Sequence, residues 1–256
     1  MAEIRIGVTE RGDAGLDFSW YDRLNYVDGA ILITKKLSDD FIEKIISAPK
    51  PVILHCTCTG WGGSFLEPNV PDYKTQLNYL KKLIDKNFDT NRIIIRIDPI
   101  IPTNDGLERT KNVLDYILDN NIPIRTIRFS ILDQYKHVCD RLQKINMPVF
   151  YPDNNFTATP EMCAALALLL LKYPMFTFEA CAEPMFIKTL KSANINNFVE
   201  SGCVNKNILS VLNIPIPDNL SENLQNRKGC HCLSCKTELL TNKKQCPNKC
   251  LYCYWK

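Results

Sequence analysis

Residues 93–97 read Ile-Ile-Ile-Arg-Ile, and this stretch predicts a β-strand more clearly than any other in the sequence. Its residues are mostly β-branched, and it is bounded by the Asn91 region and by Pro99. Similar runs predict further strands over residues 4–8, 30–34, 51–57, 124–131, 148–151 and 176–180. Helical patterns lie between them, over residues 73–86, 106–120, 133–145 and 160–172, and a further helix opens at Ser38.

Alternating strands and helices, in units of about 30 to 40 residues, predict a parallel sheet with helices outside it. A chain of 256 residues has the usual size of one α/β barrel. We therefore expect an α/β fold with a parallel (β/α) barrel, partial or full. A doubly wound open sheet is the alternative, although the chain lacks a Gly-x-Gly-x-x-Gly motif. The predicted domains are a barrel over residues 1–200 and a cysteine-rich metal-cluster segment, packed on the barrel, over residues 201–256.

Composition narrows the class of protein. The chain is 45% hydrophobic and 23% charged, as in ordinary soluble proteins. Its first residues lack the apolar core of a signal peptide, and the apolar run 162–171 is shorter than the roughly 20 residues that span a bilayer. These features predict a cytoplasmic protein without membrane contact. Twelve cysteines in that compartment indicate metal binding or catalysis rather than disulfides.

The most informative motif is Cys246, Cys250 and Cys253, with the spacing C-x3-C-x2-C. Thiolates at such intervals converge on one metal centre. Three of them leave one iron of a [4Fe–4S] cluster without a protein ligand, whereas a zinc site needs a fourth. The alternatives are half of a zinc knuckle or a redox-inert structural site.

With Tyr252 before the third cysteine, this string resembles the radical S-adenosylmethionine (radical SAM) signature, in particular that of the spore photoproduct lyase branch. The resemblance implies that the three cysteines hold a [4Fe–4S] cluster and that S-adenosylmethionine binds its open iron and is cleaved reductively. It also implies an electron donor, a flavodoxin or a ferredoxin. We expect Tyr252, Tyr254 and Ser130 to bind the cofactor. In that superfamily the motif follows the first strand, so the arrangement here is expected to be permuted.

Several strings along the chain are also similar to a bacterial family of unknown function, at residues 66–71, 96–101, 129–136, 179–183 and 250–254. This resemblance places cysteines at Cys181, Cys203, Cys230 and Cys232. It thereby implies a second, four-cysteine centre that holds either an iron–sulfur cluster or zinc. Cys235 is the substitute ligand. The remaining cysteines, Cys56, Cys58, Cys139 and Cys163, are expected in the core.

Polar side chains follow several predicted strands, at the ends where parallel barrels carry their active sites. We expect Asp98, Arg128 and Glu179 to be catalytic. We expect the terminal cysteine loop to fold back over the strand ends, where it would face Asp98, Ser130 and Glu179. Helix capping and interior salt bridges are the alternative roles for such charges. Other residues of this kind are Glu10, Arg11, Asp13, Arg96, Ser130, Asp133 and Glu183.

The leading hypothesis is a radical SAM-type iron–sulfur enzyme that modifies an unidentified substrate. The alternative is a zinc-stapled protein that binds nucleic acid or has a structural role without catalysis. Residues 225–256 carry seven Lys or Arg against one Glu, which suits either nucleic acid or the charge of metal-bound thiolates. The resemblance to spore photoproduct lyase raises DNA as a substrate, but the modest total charge argues against it.

Overall fold

The fold is built on one parallel sheet. The computed structural model describes residues 4–151, 155–193, 195, 198–217, 220–222, 229–241 and 246–254. In these residues eight strands pair in parallel in the order β7-β6-β5-β4-β3-β2-β1-β8. The strands are β1 (Ile6–Val8), β2 (Gly29–Thr34), β3 (Val52–Thr57), β4 (Ile93–Ile100), β5 (Thr126–Ile131), β6 (Thr177–Ala180), β7 (Phe198–Glu200) and β8 (Lys236–Glu238). The predicted α/β fold with a parallel sheet is confirmed, as a partial, barrel-like arrangement.

Helices connect the strands, and local capping explains where several of them begin. The Ser38 hydroxyl accepts the Phe41 N–H, and Asp72, Thr103 and Thr159 cap later helices in the same way. The helices are α1 (Ser19–Arg23), α2 (Asp39–Ile46), α3 (Tyr73–Asp85), α4 (Asn104–Asp119), α5 (Lys136–Gln143), α6 (Pro160–Leu170), α7 (Pro184–Ser192) and α8 (Lys206–Val211). None of the helices within the described ranges combines the length and apolar character needed to cross a membrane.

The two faces of the sheet carry different side chains because residues alternate along a strand. One face packs against α2 to α7 in a large apolar core, which includes Cys56, Cys58 and Cys163 as predicted. The opposite face, called the inner face here, carries Ile31, Ile33, Ile53 and Ile94, which pack against Ile208 and Leu209 of α8. Toward the carboxyl ends of the strands the inner face becomes polar.

One predicted strand is wrong. Residues 148–151 form no strand. The N–H groups of Phe150 and Tyr151 both donate to Oε1 of Gln134, at 2.8 and 3.3 Å, and the Tyr151 hydroxyl donates to the Leu132 carbonyl. A side-chain amide therefore satisfies the backbone donors that a neighbouring strand would otherwise pair.

The carboxyl-terminal segment is part of the same sheet. Strand β8 pairs with β1 in register Gly7↔Thr237, and Leu239 and Leu240 are buried in the core on the helix side. A Cβ at Gly7 would lie 2.4 Å from Cδ1 of Leu239, so glycine is what lets this leucine pack against β1. The described part of residues 201–256 thus shares a core with the strands that precede it.

Shortening Leu239 tests this shared core. Its side chain is only 1% exposed, so Leu239→Ala should lower the free energy of unfolding by about 2–5 kcal/mol. The control is Leu168→Ala on α6, where the side chain is 64% exposed and the expected change is within about 0.5 kcal/mol. Urea denaturation measures both, and equal small losses would mean that the segment does not belong to the core.

Candidate functional site

The first part of the site is the terminal cysteine turn, residues 246–254. The Lys249 N–H donates to the Cys246 carbonyl and the Cys253 N–H to the Cys250 carbonyl, each at 3.2 Å. Lys249 has a φ of 51°, in the left-handed region that closes such turns. The turn therefore carries Cys246, Cys250 and Cys253 along one short loop, and all three are half-buried.

Contacts with other loops hold this turn at the carboxyl ends of the strands. Asn248 Nδ2 donates to Asp13 Oδ2, in the loop after β1, at 2.7 Å. The Leu251 N–H donates to the Leu66 carbonyl, in the loop after β3, at 2.9 Å. Arg141 of α5 donates to the carbonyls of Leu251 and Cys253. These contacts hold the turn against the loops that follow β1 and β3 and against α5.

At the centre of these contacts Lys35, Glu67 and Tyr252 meet, with Glu67 and Tyr252 buried and Lys35 partly exposed. Lys35 Nζ lies 2.8 Å from Glu67 Oε1 and 2.9 Å from the Tyr252 hydroxyl, and that hydroxyl also donates to Glu67. Thr59 donates to the other Glu67 oxygen at 2.8 Å. Lys35 directly follows β2 and Glu67 follows β3, so this Lys35–Glu67–Tyr252 triad joins two strand ends to the turn.

The triad sets the charge beside the cysteines. Burial alone would lower the pKa of Lys35, but Glu67, Cys250 and Asp98 outweigh it and raise that pKa. Burial raises the pKa of Cys250 to about 12, against the opposing effect of the Lys35 cation, and burial also raises the pKa of Cys246. Thiols of this kind keep their protons at neutral pH, so a metal that binds them displaces a proton from each.

The second part of the site is the buried cysteine group, which consists of Cys181, Cys203, Cys230 and Cys232. The structure brings together all four residues predicted for the second centre, whereas the substitute Cys235 packs against the apolar inner face. A Cβ at Gly202 would lie 2.4 Å from the His231 carbonyl oxygen, so glycine lets these two segments approach.

Sulfur geometry gives a partial fit to a metal. A Zn–S bond of about 2.3 Å places the sulfurs of a tetrahedral site about 3.8 Å apart, which matches the 3.8 Å between Sγ of Cys181 and Sγ of Cys203. The Cys232 sulfur instead accepts the Cys203 N–H at 3.2 Å. Across the described residues, no three His, Cys, Asp or Glu side chains are already arranged as an ion site. The four thiols therefore lie close together but are not arranged as a tetrahedral metal site.

Arg128 and Glu179, two of the predicted catalytic residues, form an ion pair beside the buried cysteine group. Arg128 Nε donates to Glu179 Oε2 at 2.8 Å, and Arg128 Nη1 donates to the Cys203 carbonyl at 3.1 Å. Both side chains are buried. Arg128 thereby supports the loop that carries Cys203.

Asp98, the third predicted catalytic residue, lies between the two parts of the site. Its carboxylate pairs with Arg96 and accepts the Ser130 hydroxyl, while its carbonyl accepts Lys35 Nζ at 3.3 Å. Burial alone would lower the pKa of Arg96, but Asp98, Cys203 and Cys181 raise it. The Arg96–Asp98 pair therefore contacts the triad through Lys35. On its other side, Arg96 is close enough to the buried cysteine group for these cysteines to affect its pKa.

The three residues predicted to bind the cofactor do not all lie together at one place in the structure. Tyr252 is buried in the triad and Ser130 is buried against Asp98, but Tyr254 is 52% exposed and its hydroxyl reaches the Glu10 carbonyl at 3.4 Å. Sequence reasoning missed Lys35 and Glu67. Lys35 directly follows a predicted strand, so the rule that selected Asp98 also applies to it.

Removing the Tyr252 hydroxyl tests how the turn is held. Tyr252→Phe removes one hydrogen-bond partner from Lys35 and one from Glu67 while their ion pair remains, and it should lower the free energy of unfolding by about 1–3 kcal/mol. Tyr254→Phe, on the exposed side of the same turn, should change it by no more than about 0.5 kcal/mol. Urea denaturation of both variants is the measurement, and equal effects would show that the triad does not anchor the turn.

Comparison with known proteins agrees with the second resemblance found in the sequence. A family model described as "Domain of unknown function (DUF1848)" matches residues 21–255. No curated protein matches the chain. Since the match covers most of its length, the chain belongs to the DUF1848 family.

Proposed function

We propose that this protein is a radical SAM-type enzyme whose terminal cysteine turn holds a [4Fe–4S] cluster. The observation that carries the proposal is the position of Cys246, Cys250 and Cys253, which are half-buried on a turn fixed over the carboxyl ends of a parallel sheet. Three cysteines supply three of the four ligands of such a cluster, and S-adenosylmethionine would occupy the fourth iron. When bound and reduced, the cluster would supply the electron that cleaves S-adenosylmethionine and starts radical chemistry.

The residues around the turn would then have separate tasks. Lys35 places a cation near Cys250 and offsets part of the negative charge of bound thiolates. Tyr252 fixes the turn through the triad, and Tyr254 is exposed at its rim. Asp98 and Ser130 would offer polar groups to cofactor or substrate at the carboxyl ends of β4 and β5. Arg128 and Glu179 act as positioning residues rather than as groups that touch the reacting atoms.

The buried cysteine group is proposed as a closed, four-thiolate centre. Either zinc or a second iron–sulfur cluster satisfies four cysteines, and the 3.8 Å distance between the sulfurs of Cys181 and Cys203 favours zinc. The proposal includes a cytoplasmic location, where thiols stay reduced, and an electron donor such as a flavodoxin or ferredoxin. The zinc-stapled binding protein remains the competing function and would contain zinc without iron.

Cys250→Ala tests the terminal centre. Protein purified anaerobically should contain iron and sulfide and, with a chemical reductant, should convert S-adenosylmethionine to 5′-deoxyadenosine and methionine. In Cys250→Ala this cleavage should fall at least 100-fold, because the cluster loses a ligand. Cys139→Ala is the control, since Cys139 is half-buried on α5 and outside both cysteine groups.

Two results would contradict the proposal that this protein is a radical SAM-type enzyme. One is wild-type protein that contains zinc and no iron after anaerobic purification. The other is an iron-loaded protein that leaves S-adenosylmethionine intact under reduction.

Cys230→Ala tests the buried centre separately. It should lower the metal content by one centre and the melting temperature by several degrees, because metal binding is coupled to folding. Cys235→Ser should leave the metal content unchanged, since Cys235 lies outside the group. Elemental analysis and thermal denaturation measure both variants. Unchanged metal in Cys230→Ala would remove the second centre from the proposal.

A further inference from the structure

Three buried polar atoms on the inner face have no hydrogen-bond partner in the described part of the chain. They are Nδ1 of His55, Oγ1 of Thr57 and Nε of Arg96. His55 is 0% and Thr57 2% exposed. Thr57 and Arg96 are paired across β3 and β4, and His55 precedes Thr57 by two residues, so all three are on the same face. Unpartnered polar atoms in such a place are costly and call for a ligand or water.

The tautomer of His55 follows from its other nitrogen. Nε2 of His55 lies 3.3 Å from Nη1 of Arg128. A guanidinium only donates hydrogen bonds, so Nε2 is the acceptor and the ring proton is on Nδ1. Burial and the nearby charges of Arg128 and Arg96 hold the pKa of His55 well below its usual range, which keeps the ring neutral. Nδ1 is therefore a buried donor.

All three unpartnered groups can donate. Arg96 Nε–H and His55 Nδ1–H are donors only, and the Thr57 hydroxyl can donate as well. One water molecule could accept from His55 and Arg96 and donate to Thr57, but the Thr57 hydroxyl hydrogen would then still lack an acceptor. A carboxylate offers about four acceptor positions on two oxygens. The donors thus suit an acceptor-rich group better than a single water.

Charge restricts which acceptor fits. Arg96 is already paired with Asp98 and Arg128 with Glu179, so the positive charges here are largely balanced. Metal-bound thiolates at Cys181 and Cys203, which lie near Arg96, would add negative charge. Any added negative charge then has to be stabilised by the hydrogen-bond donors alone, so a carboxylate with one charge costs less to bury here than a phosphate dianion.

We propose that His55, Thr57 and Arg96 bind the carboxylate of a small-molecule substrate on the inner face, beside the Arg96–Asp98 pair. The proposal that this ligand is the substrate rests on the proposed function. Carboxylate binding itself does not, because it needs neither S-adenosylmethionine nor an electron.

Histidine NMR tests the site on the full-length protein, purified anaerobically with its metals. The chain has three histidines, so labelling with ¹⁵N-histidine gives three sets of signals, assigned by His137→Gln and His231→Gln. We expect His55 to be neutral with its proton on Nδ1. Acetate, added at constant ionic strength against chloride, should shift the His55 signals saturably. Thr57→Val should weaken the acetate affinity about 10-fold, as expected for one lost hydrogen bond, and Thr57→Ser should preserve it.

Each other outcome has a defined meaning. A proton on Nε2, or equal acetate affinity in Thr57→Val and Thr57→Ser, would overturn the site. The expected tautomer without any response to acetate would mean that the three groups bind ordered water only, which also overturns it. If the protein binds acetate but fails to cleave S-adenosylmethionine, the result would support the carboxylate site and contradict the proposed enzymatic function.

Discussion

The buried ion pair between Lys35 and Glu67 is the interaction on which the site depends. Glu67 is 1% exposed, and a charge in such a place is stable only when it is paired and hydrogen-bonded. Removing one partner of a buried pair typically costs about 3–5 kcal/mol, because it leaves the other charge uncompensated. Tyr252 completes this arrangement from the terminal cysteine turn. In the observed position of the turn, all three of these polar side chains are hydrogen-bonded.

The inner face of the sheet explains why two cysteine groups lie near one another. Its apolar half is covered by α8, which brings the adjacent segments of residues 201–204 and 230–233 against the sheet. Its polar half, which includes His55, Arg128 and Glu179, lies toward the carboxyl ends of the strands, where hydrogen bonds join these buried side chains. The same face therefore provides an apolar floor for packing and a charged region for chemistry.

How much the sequence predicted depends on how local each signal is. Strands β2 to β5 are long apolar runs, and the starts of α2 and α6 are marked by capping residues, so their patterns were sufficient. Strands β7 and β8 were missed. They are as short as β1, but β7 ends in a glutamate and β8 reads Lys-Thr-Glu, so neither is an apolar run. The buried cysteine group was predicted through family resemblance, not spacing. The pairing of Lys35 with Glu67 arises from the tertiary fold, and no local sequence pattern around either residue identifies the other as its partner.

The pairing of β8 with β1 has a consequence for how the protein is made. Glu238 accepts the backbone N–H of Glu10 across 228 positions of sequence. One edge of β1 therefore emerges from the ribosome long before its neighbour has been synthesised. Contacts of such separation slow folding, and an unpaired strand edge invites association with other chains. This edge of β1 therefore has no strand partner during synthesis until residues 236–238 have been made.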